Sequence, residues 1–269
     1  MTSGIEMHNR GLLERLHRGV KGPFDATEAA SLLTLSPERC RRLLSYLYSR
    51  GWLSRVKRGL YVTVPLGATN PSQWHEDPWV VAAKAFDPCY IGGWSALEHW
   101  GLTEQIFRDI VVVTERFVRN SHVEIQETPF RIKHLPASKH FGTRAVWKGQ
   151  VKINVSDPSR TIVDILDDPA IGGGVRHISQ VISAYFEGKH RSDALLFDYI
   201  TKLDNRVAFK RLGYLLETLQ IPAPDLIEKC RLHQSSGISD LDPTVKTPGR
   251  ILKRWRLRLN VLLEKERSA

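Results

Sequence analysis

The chain contains no run of about eighteen apolar residues, so a hydrophobic helix of spanning length is not expected anywhere in it. Its first nineteen residues, MTSGIEMHNRGLLERLHRG, lack the apolar core of a signal peptide. Cysteine is scarce: Cys40, Cys89 and Cys230 are isolated and odd in number, which argues against a disulfide framework and fits a reducing compartment. No Cys/His pair has metal-ligand spacing. Internal repeats and low-complexity tracts are also missing. These absences together predict a cytoplasmic protein with no membrane partner.

What is present is positive charge, unevenly placed. The 269 residues carry a net charge of +10. Residues 1–65 hold 11 Lys and Arg against 5 Asp and Glu, and residues 246–269 hold 8 against 2, whereas 66–245 hold 20 against 22. Two basic ends flanking a near-neutral body point to a polyanionic partner more than to a uniform solubility charge.

The local pattern of the first basic end is helical and then extended. Ile5, Leu12, Leu13 and Leu16 fall near helical spacing up to Gly19, and Asp25 or Thr27 caps a second short helix to Thr34. Ser36-Pro37 is a cap residue followed by proline at the first helical position, opening a third helix over 37–50 that stops at Gly51. Cys40, Leu43, Leu44 and Leu47 form one apolar stripe on it at i, i+3, i+4, i+7. Leu60, Val62 and Val64 alternate with Tyr61 and Thr63 after the turn Lys57-Arg58-Gly59, as in a half-buried hairpin strand. Three helices and a hairpin in this order read as a winged helix-turn-helix. Its groove-facing residues would be Arg39, Arg41, Arg42, Ser45 and Tyr46 on the third helix, with Arg55, Lys57 and Arg58 at the hairpin tip.

A linker, PLGATNP, leads to a second unit. Short strands are expected at 89–91, 110–113, 123–126, 130–134, 144–147 and 151–155, forming an antiparallel sheet. Helices follow over 157–233. A basic strand over 250–261 ends the pattern, with Trp255, Leu257, Leu259 and Val261 alternating against Arg254, Arg256, Arg258 and Asn260. The fold class is therefore α+β: a winged helix-turn-helix over 1–65 and a larger mixed unit over 66–269. Lys246 to Arg258 includes no acid, so Lys253, Arg254, Arg256 and Arg258 form either a solvated strand face or a second polyanion surface.

Several groups invite a catalytic reading. Asp164 and Asp168 stand at i and i+4 with Asp167 beside them, but solvated acids at a helix end explain them without a metal. Gly172-Gly173-Gly174 opens a helix, yet lacks the Lys and Ser/Thr of a phosphate-binding loop. Glu98-His99 reads as a packed or surface pair beside Trp100. Glu187-Gly188-Lys189 has E-x-K spacing but falls at a helix end. No catalytic residue, metal site or cofactor is expected, and the chain reads as a non-enzyme.

The quoted segments also resemble a family. SPERCRRLLSYLYSRGWLSRVKRGLYV, YIGGWSALEHWGLTEQ, SDPSRTIVDILDDPAIGGGV and LDPTVKTPGRILKRWRLRLNV together look like the AbiEi-type antitoxins of type IV toxin–antitoxin systems, which act in abortive infection against phage. The resemblance spans about 25–260. It implies an autorepressor whose winged helix binds inverted repeats in its own operon promoter as double-stranded DNA, two copies on the repeat, from a monomer or dimer in solution. It further implies a C-terminal unit that counteracts a nucleotidyltransferase-like toxin without a stable complex. The alternative is an enzymatic C-terminal unit, a nuclease or a toxin-modifying activity targeted by the DNA-binding unit.

Overall fold

A computed structural model describes residues 6–263 apart from 66, 69, 71 and 72. Ile5, assigned above to the first helix, and parts of the 65–71 linker lie outside the described residues. The fold is mixed α+β.

The N-terminal unit is built from α1 (Met7–Gly19), β1 (Phe24–Asp25), α2 (Ala26–Leu33), α3 (Pro37–Ser49), β2 (Leu53–Lys57) and β3 (Leu60–Thr63). A capping box starts α2: the Asp25 carboxylate accepts from the Thr27 and Glu28 amides at 2.8 and 2.9 Å, and Glu28 accepts from the Asp25 amide. The Ser36 hydroxyl accepts from the Arg39 amide at 3.4 Å to start α3. The chain leaves α3 through Gly51 and turns the hairpin through Gly59, both at positive φ, where glycine carries no Cβ penalty. The four stripe residues of α3 are buried with Leu12, Leu13 and Leu16 of α1 and Ala29, Ala30 and Leu33 of α2. The three strands run in the order β1-β3-β2.

The second unit opens with α4 (Pro78–Ala85), β4 (Cys89–Ile91), α5 (Gly93–His99), β5 (Ile110–Thr114), β6 (His122–Ile125), β7 (Thr128–His134), β8 (Thr143–Lys148) and β9 (Val151–Ser156). Its six strands are ordered β6-β7-β5-β4-β9-β8. The expected antiparallel pairing holds for β4–β5, β6–β7 and β8–β9. The β5–β7 and β4–β9 pairs run parallel, so the sheet is mixed. Hairpins follow from neighbouring strands, whereas these two pairings join strands separated by intervening chain, which local pattern does not encode.

Helices α6 (Pro158–Asp167), α7 (Val175–Glu187), α8 (Asp193–Leu203), α9 (Arg206–Thr218) and α10 (Pro224–His233) form the largest apolar core. The tail then departs from the single basic strand expected over 250–261. It is a hairpin of β11 (Arg250–Leu252) and β12 (Leu257–Leu259), with β10 (Ser239–Asp240) parallel to β12 on its other side. The turn between them passes through Arg256 at φ 51°. Trp255, Leu257, Leu259 and Val261 are all buried, so the alternation is real. It continues through a turn residue, however, and so imitates a longer strand. Trp255 is wholly buried; its indole N–H donates to Glu217 at 2.6 Å and its ring lies over Gly213.

The two units share an apolar core. Val56, Leu60 and Val62 of the small sheet pack with Val80, Val81, Ala82, Ala85 and Phe86 around α4 and with residues of the large sheet. Polar contacts cross the same seam. The Gln126 amide donates to Ser54 at 2.9 Å, and Lys84 pairs with Glu28.

A Cβ at position 213 would lie 2.1 Å from the Trp255 ring. Gly213→Ala therefore forces the indole to move and is expected to cost about 1–3 kcal/mol in urea denaturation. Trp255→Phe in the same background, with its smaller ring, should recover part of that loss.

Candidate nucleic-acid interface

The apolar stripe of α3 turns its opposite face to solvent. Arg39, Arg41, Arg42 and Ser45 are exposed there, with Glu38 the one acid of the helix's first turn. Tyr46 is only half-buried: its ring packs against the N-terminal core and carries the Arg50 guanidinium 5.5 Å above it. Arg39, Arg42 and Tyr46 border a shallow cleft shared with His8 and Asn9 of α1. Arg41, Ser45 and Tyr48, at i, i+4 and i+7, lie along the side of α3 that meets the hairpin.

The hairpin does not carry its three cations as expected. Arg55 lies within β2, opposite Tyr61 of β3, rather than at the tip. Its guanidinium stacks 4.3 Å from the centre of the Tyr48 ring and 5.9 Å from that of Tyr61, and the two rings meet edge-on at 6.3 Å. A register irregularity between Arg55 and Lys57 then brings Lys57 opposite Leu60. The Lys57 ammonium turns back toward the second unit, donating to the Ala85 carbonyl at 2.8 Å and lying 5.8 Å from the Phe86 ring. Burial pushes its pKa below the ordinary lysine value, and the nearby Arg116 guanidinium pushes the same way. Arg58 lies at the turn itself and is exposed. Tyr48 and Tyr61 were not anticipated. Cross-strand pairing of Arg55 with Tyr61 was the available signal, and the extra residue of the bulge obscures it.

Charge neutralisation separates the two basic ends. Among the described residues, no ion pair joins an acid to Arg39, Arg41, Arg42, Arg55 or Arg58. In the tail, Arg254 pairs with Glu217 at 2.6 Å and Arg258 with Asp240 at 2.8 Å, while Arg256 donates to the Ser235 carbonyl. Lys253 stays exposed on the turn. The countercharge missing locally is thus supplied by α9 and β10. Arg254 and Arg256 also lie in the turn rather than on a strand face with Arg258.

No protein-family model and no curated protein matches the chain.

The other sequence candidates fall into structural roles. Asp164, expected as a solvated helix-end acid, is buried: it accepts from Arg160 Nε at 2.9 Å and from the Tyr90 hydroxyl at 3.1 Å, and Arg160 Nη2 donates to the same hydroxyl. Burial drives the Tyr90 hydroxyl well above its ordinary pKa, with Asp164 adding to the effect. Asp167 is also drawn inward, paired with Lys133 and accepting from Asn205 at 2.5 Å. Asp168 caps the following turn through the Ala170 amide. The amide of Val175 after the triple glycine already donates to Asp242 at 2.8 Å, so a carboxylate of this chain occupies the start of α7. His99 lies against Trp79 and Trp100. Glu187 ends α7 with Gly188 and Lys189 exposed after it. Among the described residues, no three His, Cys, Asp or Glu side chains are grouped to hold a metal ion.

Asp167 gives a pH prediction. Burial tends to raise its pKa, but the Lys133 ammonium and the hydrogen bonds from Lys133 and Asn205 outweigh it and hold the carboxyl below the ordinary value. Its contribution to stability is therefore full above the unfolded-state pKa of about 4 and disappears as pH falls through the lowered folded value. Asp167→Asn should cost about 2 kcal/mol at neutral pH by urea denaturation, and the difference from wild type should shrink toward zero on acidification through that window. A difference independent of pH would show that the carboxylate's charge is not what stabilises.

Proposed function

We propose that the chain is a DNA-binding autorepressor and antitoxin of the AbiEi type, and that its N-terminal unit is a winged helix-turn-helix. The observation that carries this reading is the unneutralised basic face running from α3 onto the hairpin. In this reading α2 and α3 are the helix-turn-helix pair and α3 lies in the major groove. Arg41 and Arg42 reach base edges or phosphates, Arg39 and Ser45 hold the backbone, and Tyr46 supports the helix from its half-buried place. Arg58 meets the phosphate backbone at the wing tip. Arg55, already stacked on two rings, presents a guanidinium with part of its rotamer freedom removed before DNA arrives. Lys57, expected as a clamp, contributes field rather than a direct contact because its ammonium bonds Ala85.

An inverted repeat in the promoter requires two copies, arriving as a dimer or as monomers set side by side. The larger unit counteracts a nucleotidyltransferase-like toxin in the cytoplasm without a lasting complex. That part of the proposal rests on the resemblance carried by the SALEHWGL and RWRLRLNV segments.

Titrating the full chain against duplex DNA from upstream of its own coding sequence tests the repressor reading. Arg42→Ala and Arg41→Ala are each expected to weaken binding about 10- to 100-fold. Arg58→Ala should make the salt dependence shallower by about 0.9 in logarithmic slope, the signature of one lost phosphate contact. Lys57→Ala should leave that slope nearly unchanged. Wild-type protein that fails to bind any upstream repeat, or variants that all bind as wild type does, would sink the assignment. Co-expression with the neighbouring gene product tests the antitoxin role, for which relief of growth inhibition is the expected result.

A further inference from the structure

The wing does not end the basic surface. Beside its turn lies a cleft of about 270 Å³ where Lys57 and Arg58 meet Lys84 and Arg116, the last contributed by the segment between β5 and β6. Asp25 and Asp87 also border it. The Asp25 carboxylate is committed to the start of α2, and Lys84 to Glu28. Arg116 is close enough to depress the Lys57 pKa.

The segment that carries Arg116, residues 115–121, reads ERFVRNS. It is held in place from below. Val118 packs against the shared core, the Glu115 amide donates to the Pro88 carbonyl at 3.1 Å, and the Arg116 amide donates to the Thr114 hydroxyl at 3.1 Å. Its exposed residues are Arg116, Phe117, Arg119, Asn120 and Ser121. Phe117 is 86% exposed and touches the edge of His134 at 6.4 Å between ring centres. Glu115, the one acid of the segment, lies 3.6 Å from His140, and no ion pair joins an acid to Arg116 or Arg119 among the described residues. A solvated loop gains nothing by presenting a large aromatic ring between two unpaired arginines. A nucleic-acid backbone offers that set both phosphates and apolar sugar faces.

Resting on the DNA-binding reading above, we infer that the DNA footprint continues past the wing onto the second unit, where Arg116 and Arg119 contact phosphates and Phe117 lies against the sugars of the flanking minor groove. Packing makes this possible: Val56, Leu60 and Val62 of the wing and Val118 of the loop belong to one apolar core, which sets the wing and the loop beside each other. The same duplex contacts the helix, the wing and the loop in succession.

The test compares the full chain with Arg116→Ala/Arg119→Ala and Arg41→Ala/Arg42→Ala variants on duplex DNA from upstream of the coding sequence. Binding is followed by fluorescence anisotropy from 50 to 200 mM salt, and thermal melting is recorded for each variant. Both substituted arginines are exposed, so melting should not change. Loss of two phosphate contacts should reduce the logarithmic salt slope by about 1.8. Nuclease protection by the variant should also retract on the wing side. An Arg116→Ala/Arg119→Ala protein with wild-type slope and protection, alongside an Arg41→Ala/Arg42→Ala protein that has lost binding, would overturn this inference alone. Wild-type protein that does not bind duplex DNA would overturn the repressor reading and this extension together.

Discussion

Val56, Leu60 and Val62 give the small sheet a second apolar face, and α4 covers it. Much else depends on that contact. The sheet's other side supports α3 through Leu53 and the N-terminal core, so the orientation of α3 is set by packing that continues into the large unit. The hairpin is thereby a strut rather than a free arm. Its lysine is turned inward to Ala85, and its arginine is clamped by Tyr48 and Tyr61 across the helix–hairpin junction. Apolar burial of this kind does not depend on direction, and here it fixes where the directional groups of the surface point.

Formal charge and available charge differ sharply in this chain. Both ends carry the same excess, yet the tail's Arg254 and Arg258 find Glu217 and Asp240, while among the described residues no ion pair joins an acid to Arg39, Arg41 or Arg42. The interior uses cations in a third way. Arg211 donates to the carbonyls of Leu166, Asp240 and Leu241 and so ties the helical layer to the tail; Lys210 donates to Gly237 and Ser239. Burial lowers the pKa of both side chains, and in Arg211 nearby Asp167 and Asp242 oppose that effect. Counting lysines and arginines along the sequence cannot separate these uses, because the partners lie 18 to 45 residues away.

What was legible depended on how far along the chain its cause lay. The Ser36-Pro37 start of α3, its buried stripe and the helices after residue 157 follow from neighbours within a few positions. β1 is two residues long, too short to show a period, and the parallel pairs of the large sheet depend on strand order. The tail misled because Trp255 is buried in a turn and keeps the rhythm of the strand that follows. At the candidate interface the exposed helix arginines were legible from angle alone. Lys57 was not, since the carbonyl it bonds is 28 residues away, and Tyr48 acquires its role only when Arg55 of the next strand stacks on it.

The docking of the hairpin on α4 also has a steric consequence. A reading helix on a flexible tether lets its carrier swing aside, so two copies can occupy closely spaced half-sites. Here a shared apolar core joins the hairpin to the large unit, so in the proposed complex the bulk of that unit would lie beside the duplex wherever α3 is seated. For the proposed pair of copies on an inverted repeat, the bulk of the second unit therefore sets a lower limit on half-site spacing. It also restricts the helical phasing at which both copies fit. Operator architecture would then be a property of the whole chain's shape as much as of the helix that reads it.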